Sequence, residues 1–472
     1  MNNTQNLNSV PDLNQTTSDN IQSAIKSLQT SLIAWNYSYI GTPLLEPAEI
    51  FLRKSGEAFT KETYNLMDSQ GERFTLRPEF TSSVARHILQ SNIMDRFPIR
   101  KCYAGPVFRN DVINQNQRQF HQVGAELVGV ATIDGDAEVI ALAISSLQQF
   151  GYAELKVNIG NVGIASNLLE QFGLSERTIA LLLSRLDWLT DIDKHAGEIQ
   201  LQIGRSQDLT SSNATNDNKD TEEDSAILLS LLSASHNQVI GSRTLEEIAA
   251  RYMKRIGAYQ DIERTQSALR FLSEFTTIRG TLEKTKRDAE LLTKKWGLEP
   301  SALSWISEFA SKLAEYPLSN VSINCDFSLT HDVRYYTGMV FEILVSGIGD
   351  YGSNTACSGG RYDKLYRSLG APTDTPALGF AHSVEALLND KSGCSDSAPF
   401  TETGILILPT SQLAVQYAHQ CADQFRASGQ RVGMLLDTEP SFDLYDYAKT
   451  NMISRILWIG QNSIEKEQDL DE

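Results

Sequence analysis

FRNDVINQNQRQFHQVGAEL, residues 108–127, is strand-like apolar text broken by a polar loop, and its reading decides the fold. Arg100–Phe108 and Gly124–Val130 read as strands, with the loop at Asn110–Gln117 between them. A strand–loop–strand unit this short suits an antiparallel sheet. Working outward, ETYNLMDSQGERFTLRPEF reads as two strands around the turn Ser69-Gln70-Gly71. Asp134–Phe150 reads as a helix and Leu155–Ile159 as a strand; strand patterns return at Val321–Phe327 and Met339–Val345. Gly379–Asn389 reads as the last core helix.

Residues 1–21 are polar and read as a disordered tail, with a helix pattern from Ile21 to Trp35. The core spans residues 22–390. A helical region, about 173–315, is inserted into it, and that region holds an acidic, solvated stretch at 206–225. Residues 391–403 form a linker. Residues 404–461 alternate strand and helix as a small βαβαβ unit, which implies a parallel sheet, and 462–472 form an acidic tail. The fold class is α+β.

The 472 residues are 41% hydrophobic and 21% charged, enough for a sizeable core. A net charge of −18 disfavours non-specific attachment to nucleic acid or anionic lipid. Five cysteines, none in a CxxC pair, argue against a zinc site and against a disulfide framework. No metal or cofactor is expected. The polar N-terminus has no apolar core of a signal peptide, and no apolar run approaches the roughly 20 residues that span a bilayer. The expected location is the cytoplasm.

Four segments set polar or charged groups inside strand-like text: TLRPEFTSSVAR (75–86), FRNDVINQNQRQFHQVGAEL (108–127), RYYTGMVFE (334–342) and GGRYDKL (359–365). Buried charges need partners, so such strands imply a shared polar pocket. Glu79, Arg109, Gln122, Glu126, Tyr335, Tyr336 and Arg361 are its candidate lining.

Together these segments resemble those of histidyl-tRNA synthetases and their paralogues. FRND…RQFHQVGAE is similar to the family's motif 2, RYYTGMVFE to its histidine-specific motif and GFAHSVEALL (379–388) to its motif 3. The resemblance covers about residues 22–390. It implies a class II synthetase-like antiparallel sheet flanked by helices, dimeric through motif 1. It also implies a histidine slot: Glu79 for the α-ammonium group, Arg109 between the amino acid and the α-phosphate, Gln122 and Glu126 along the amino-acid site, and Tyr335 and Tyr336 beside the imidazole. That donor and acceptor set suits a zwitterion with an imidazole.

The departures fall on the ATP side. The catalytic arginine of the histidine-specific motif is His331 here, and the following aspartate is Arg334. The Glu-Arg pair of motif 3 is Glu385-Ala386, and Asp111 stands where motif 2 carries a glutamate. A lost charged donor costs roughly 3–4 kcal/mol in the transition state, and two such losses about 10⁴–10⁶ in rate. Among the paralogues, the regulatory subunits of ATP phosphoribosyltransferase match best. They pair with a short catalytic subunit and respond to L-histidine. The resemblance thus implies a non-catalytic, histidine-binding homodimer inside a hetero-oligomer, controlling the first step of histidine biosynthesis by feedback. The C-terminal unit looks like the start of the family's anticodon-binding domain and stops early, so tRNA is not an expected partner. The alternatives are a divergent histidine–tRNA ligase and a tRNA-binding or signalling pseudo-synthetase.

Overall fold

The computed structural model describes residues 14–52, 63–91, 93–94, 97–110, 118–183, 186, 264–329, 335–345, 355–388, 401, 403–436, 440 and 442–470. His331, Arg334, Asp111 and the acidic stretch 206–225 lie outside these residues, as do all of the 391–403 linker but 401 and 403. The chain forms two compact units, residues 1–163, 279–287 and 303–472, and residues 164–278 and 288–302.

The first strands are β1 (Ser38–Tyr39), β2 (Leu45–Pro47), β3 (Asn65–Met67) and β4 (Arg73–Leu76). The β3–β4 hairpin turns where its sequence predicts. Asp68 accepts from the Gln70 and Glu72 N–H groups at 2.8 Å, and Gly71 takes φ +86°. β2, β4 and β3 form a small antiparallel sheet of their own.

The large sheet adds β5 (Ile99–Phe108), β6 (Gln119–Val128), β7 (Leu155–Asn161), β8 (Arg279–Thr281) and β9 (Val321–Asp326). It is completed by β10 (Met339–Val345), β11 (Thr355–Arg361) and β12 (Ala377–Ser383), in the order β1-β5-β6-β12-β11-β10-β7-β9-β8. Most neighbours are antiparallel; β1–β5 and β7–β9 are parallel. β5 and β6 pair from Ile99↔Val128 to Phe108↔Gln119, the hairpin expected from residues 108–127.

One sheet face carries the core. Val123, Ala125 and Leu127 of β6, Val157 and Ile159 of β7 and Phe341 and Ile343 of β10 are fully or almost fully buried. They pack with the helices Gln15–Ala34 and Ile133–Phe150. Each of these side chains larger than alanine contributes roughly 1.5–3 kcal/mol. The 133–150 helix is buried almost all round and ends at Gly151, whose φ of +111° suits a glycine cap.

Three sequence expectations need correction. The first helix starts at Gln15, not Ile21, so the polar tail is shorter than 1–21. Asn14 caps it, its side chain accepting from the Thr17 N–H at 2.8 Å, a device worth about 1 kcal/mol that needs no apolar periodicity. Residues 377–383 form a strand rather than the start of a helix, and only Val384–Leu388 is helical. Strand β12 is fixed by partners distant in sequence, β6 and β11. The acidic C-terminal segment is also a strand.

The C-terminal module contains β13 (Gly404–Pro409), β14 (Arg431–Met434), β15 (Ile453–Ile459) and β16 (Ile464–Asp469), with helices Val415–Ala427 and Leu444–Thr450. The first three strands are parallel, as the βαβαβ reading predicts. β16 adds antiparallel to β15, held by Arg455–Glu467 at 3.3 Å and by Lys466 over the Trp458 ring. Charged side chains are tolerated on such an edge.

The second unit includes the helix Glu176–Leu183 and an aromatic cluster of Phe172, Phe271, Phe275 and Trp296. Among the described residues no helix is long and apolar enough to cross a membrane.

Candidate functional site

On β6, Gln122, Gly124 and Glu126 alternate onto the face opposite the core. Gly379 of β12 lies directly across from Glu126, and Gly360 of β11 across from Gly379. These glycines make a thin floor. A Cβ on Gly379 would stand 1.8 Å from the Glu126 Oε2, and one on Gly360 would stand 2.7 Å from the Tyr336 ring. The carboxylate and the ring therefore lie flat on backbone.

Glu126 is almost fully buried. The Thr81 hydroxyl donates to its Oε1 at 2.8 Å, and the Tyr362 hydroxyl donates to its Oε2 in a short hydrogen bond. Burial, reinforced by the Glu126 charge, pushes the Tyr362 phenol well above its ordinary range, so it stays a donor. Both hydroxyls aim at one carboxylate and fix its orientation, as a buried charge requires.

Tyr335 and Tyr336 stack with ring centres 4.6 Å apart, and Tyr335 meets the Tyr362 ring edge-on at 5.4 Å. Burial raises both phenols; for Tyr335 the neighbouring Tyr336 and Glu79 add to it. Glu79 lies just ahead of the helix Thr81–Gln90, where the Ser82 N–H donates to its two oxygens at 3.2 and 3.3 Å. A carboxylate is favoured at that helix end. Phe80 stacks on Tyr103 at 4.3 Å and carries the Arg77 guanidinium 3.9 Å above its other face. Arg77 is bound by the carbonyls of Pro106 and Thr42, and burial lowers its pKa to about 10.

Glu79, Glu126, Tyr335 and Tyr336 thus come together. Arg109 sits at the loop end of the β5–β6 hairpin, its N–H bonded to the Arg118 carbonyl at 3.0 Å. Its Nε donates to the Pro78 carbonyl at 3.2 Å, beside Glu79, and its guanidinium lies 5.3 Å from the Phe120 ring. Gln122 shares the pocket face of β6 but stands about 13 Å along the strand from Glu126.

Arg361 does not line the pocket. Its side chain turns to the opposite face, where Asp136 accepts at 2.9 Å and the Val130 carbonyl at 2.9 Å. The residue beside it, Tyr362, is the pocket member, and the sequence reading passed over it. Thr81 was missed as well. Strand alternation held the signal for Tyr362: with Gly360 over the pocket, Arg361 must face away.

Ala386 contributes only a methyl group, packed against the core. Glu385 beside it accepts from the His121 backbone N–H at 2.8 Å and contacts its Nδ1 at 2.7 Å. Among the described residues no cluster of His, Cys, Asp and Glu is placed to hold a metal. The four described cysteines are buried free thiols; burial pushes Cys102 up to about 12.

The sequence model of the histidyl-tRNA synthetase family matches residues 9–387. The ATP phosphoribosyltransferase regulatory subunit of Moorella thermoacetica is 28% identical over 421 residues, covering 88% of this chain and 88% of that one. The histidine–tRNA ligase of Prochlorococcus marinus is 30% identical over 396 residues, covering 82% of this chain and 73% of that one. A solved regulatory subunit/histidyl-tRNA synthetase from Bacillus halodurans shares the fold, with a TM-score of 0.56, 22% identity and coverage of 96% and 97%. The chain belongs to the histidyl-tRNA synthetase family.

Proposed function

We propose that this chain is the regulatory subunit of ATP phosphoribosyltransferase. It binds L-histidine and restrains a separate short catalytic subunit. The observation that carries the reading is the Glu126 carboxylate, oriented by Thr81 and Tyr362 beside the stacked Tyr335–Tyr336 pair. A carboxylate flanked by hydroxyls suits an imidazole N–H. Glu79 supplies a second anion for the ammonium group, and Arg109 and Gln122 stand further along the hairpin for the carboxylate side.

The reading without aminoacylation rests on His331 and Ala386, which replace the two arginines of the synthetase pattern. Adenylate formation needs the triphosphate charge neutralised and held in line. The regulatory subunit from Moorella thermoacetica matches over most of both chains, which supports the assignment. Feedback coupling of this kind amounts to roughly 1–3 kcal/mol.

The second reading, a divergent histidine–tRNA ligase, is favoured by the 30% identity to the Prochlorococcus marinus ligase. Two assays separate them. Mixing the chain with the short catalytic subunit should give one hetero-oligomeric peak on a sizing column, and two separate peaks would reject the regulatory assignment. Histidine-dependent ATP–pyrophosphate exchange at synthetase rates would establish the ligase instead.

A further inference from the structure

We propose that the C-terminal module is a positioning element for the pocket, tied to it through Arg100. The proposal rests on the histidine pocket for its ligand, but its structural claim can be tested without one.

Arg100, on β5, is buried and holds two bodies at once. Its Nε and one terminal nitrogen donate to the two oxygens of Glu138, both at 2.8 Å. The other terminal nitrogen donates to the Tyr447 hydroxyl at 3.1 Å, and the guanidinium also reaches the Met434 carbonyl at 3.0 Å. Tyr447 and Met434 belong to the C-terminal module; Glu138 belongs to the 133–150 helix. A planar fork that satisfies partners on both sides is a rigid joint that a lysine does not reproduce.

The same helix reaches the pocket from its first turn. Asp136 stands two residues before Glu138, so the two carboxylates leave the helix in different directions. Asp136 takes Arg361, and the Arg361 carbonyl accepts the Thr337 N–H at 2.8 Å. The Arg361 side chain also lies against Gly338, where an added Cβ would stand 2.9 Å from its Cδ. Arg361 therefore fixes the segment that follows Tyr335-Tyr336. Its chain neighbour Tyr362 holds Glu126. A shift of the module displaces the first turn of the helix, and with it both walls of the pocket.

The test uses the full chain and a mild variant, Tyr447→Phe, which leaves the Arg100–Glu138 pair intact. Amide hydrogen exchange should rise in the module and also at residues 335–339 and 359–362. Histidine binding, measured by calorimetry well below the melting temperature, should weaken about 2- to 30-fold. Arg100→Lys should weaken it further. The combined Tyr447→Phe and Asp136→Asn variant should lose less than the product of the single effects, although these residues do not touch. Faster exchange confined to the module, with affinity unchanged, would overturn the proposal. If the wild-type chain binds no histidine, the pocket assignment fails, and exchange at 359–362 alone decides this one: faster exchange supports it, and unchanged exchange rejects it.

Discussion

The Tyr362 hydroxyl donates to the Glu126 carboxylate, joining the residue just past β11 to a β6 residue 236 positions away, across the intervening β12. With Thr81 on the other oxygen, this bond turns a buried charge into an oriented acceptor. Tyr362→Phe removes the donor and leaves the carboxylate short of a partner. The expected cost is about 1–3 kcal/mol in urea unfolding, with histidine affinity at least tenfold weaker. Unchanged affinity in a stably folded Tyr362→Phe protein would remove Tyr362 from the pocket's working parts.

Gly379 is the space in which that carboxylate lies. A methyl group there would stand 1.8 Å from Glu126 Oε2 and 2.5 Å from the Ala125 carbonyl oxygen. Gly379→Ala should therefore displace Glu126, lower stability by roughly 1–3 kcal/mol and abolish histidine binding. Thermal melting and calorimetry on the same sample report both effects.

Arg361 and Asp136 are a buried pair, and burial raises the Asp136 carboxyl even though Arg361 pulls it back down. Arg361→Met leaves that carboxyl without its cation and should cost about 3–5 kcal/mol. A loss below 1 kcal/mol in urea unfolding would show that the pair does not anchor the helix.

Two buried imidazoles make stability fall with acid. Burial holds His382 to about 3, and burial assisted by Arg426 and Lys312 holds His419 to about 3. The unfolded chain protonates near 6.5. Below that pH the unfolded state takes up protons that the native state refuses, so stability drops across the window from 6.5 toward 3. Between pH 7 and pH 5 the wild-type protein should lose about 2 kcal/mol more than His419→Gln. Urea midpoints at the two pH values measure the difference, and parallel losses would contradict it.

The sequence carried the β5–β6 hairpin because both strands and their turn are local text. The helix Ile133–Phe150 was equally plain, with a mostly apolar central stretch, AEVIALAI, and a glycine stop. Local text failed where distant partners decide. ALGFAHS runs straight into the helical VEALL, and only its pairing to β6 and β11 makes it a strand. The segment 462–472 reads only as an acidic tail, and pairing with β15 makes it a strand. In the pocket, residue types pointed to Glu126 and the tyrosine pair, but charge alone singled out Arg361, whose partner Asp136 lies on the other face, and passed over its neighbour Tyr362. The Arg100–Tyr447 contact, 347 residues apart, leaves no local trace.

The account stands on a pocket that recognises histidine. Its most direct test is calorimetric titration of L-histidine into the isolated chain, beside Glu126→Ala and Tyr336→Phe. The account predicts saturable binding to the wild-type chain, clearly weakened in both variants. No detectable heat at millimolar histidine, with the wild-type protein folded, would contradict it.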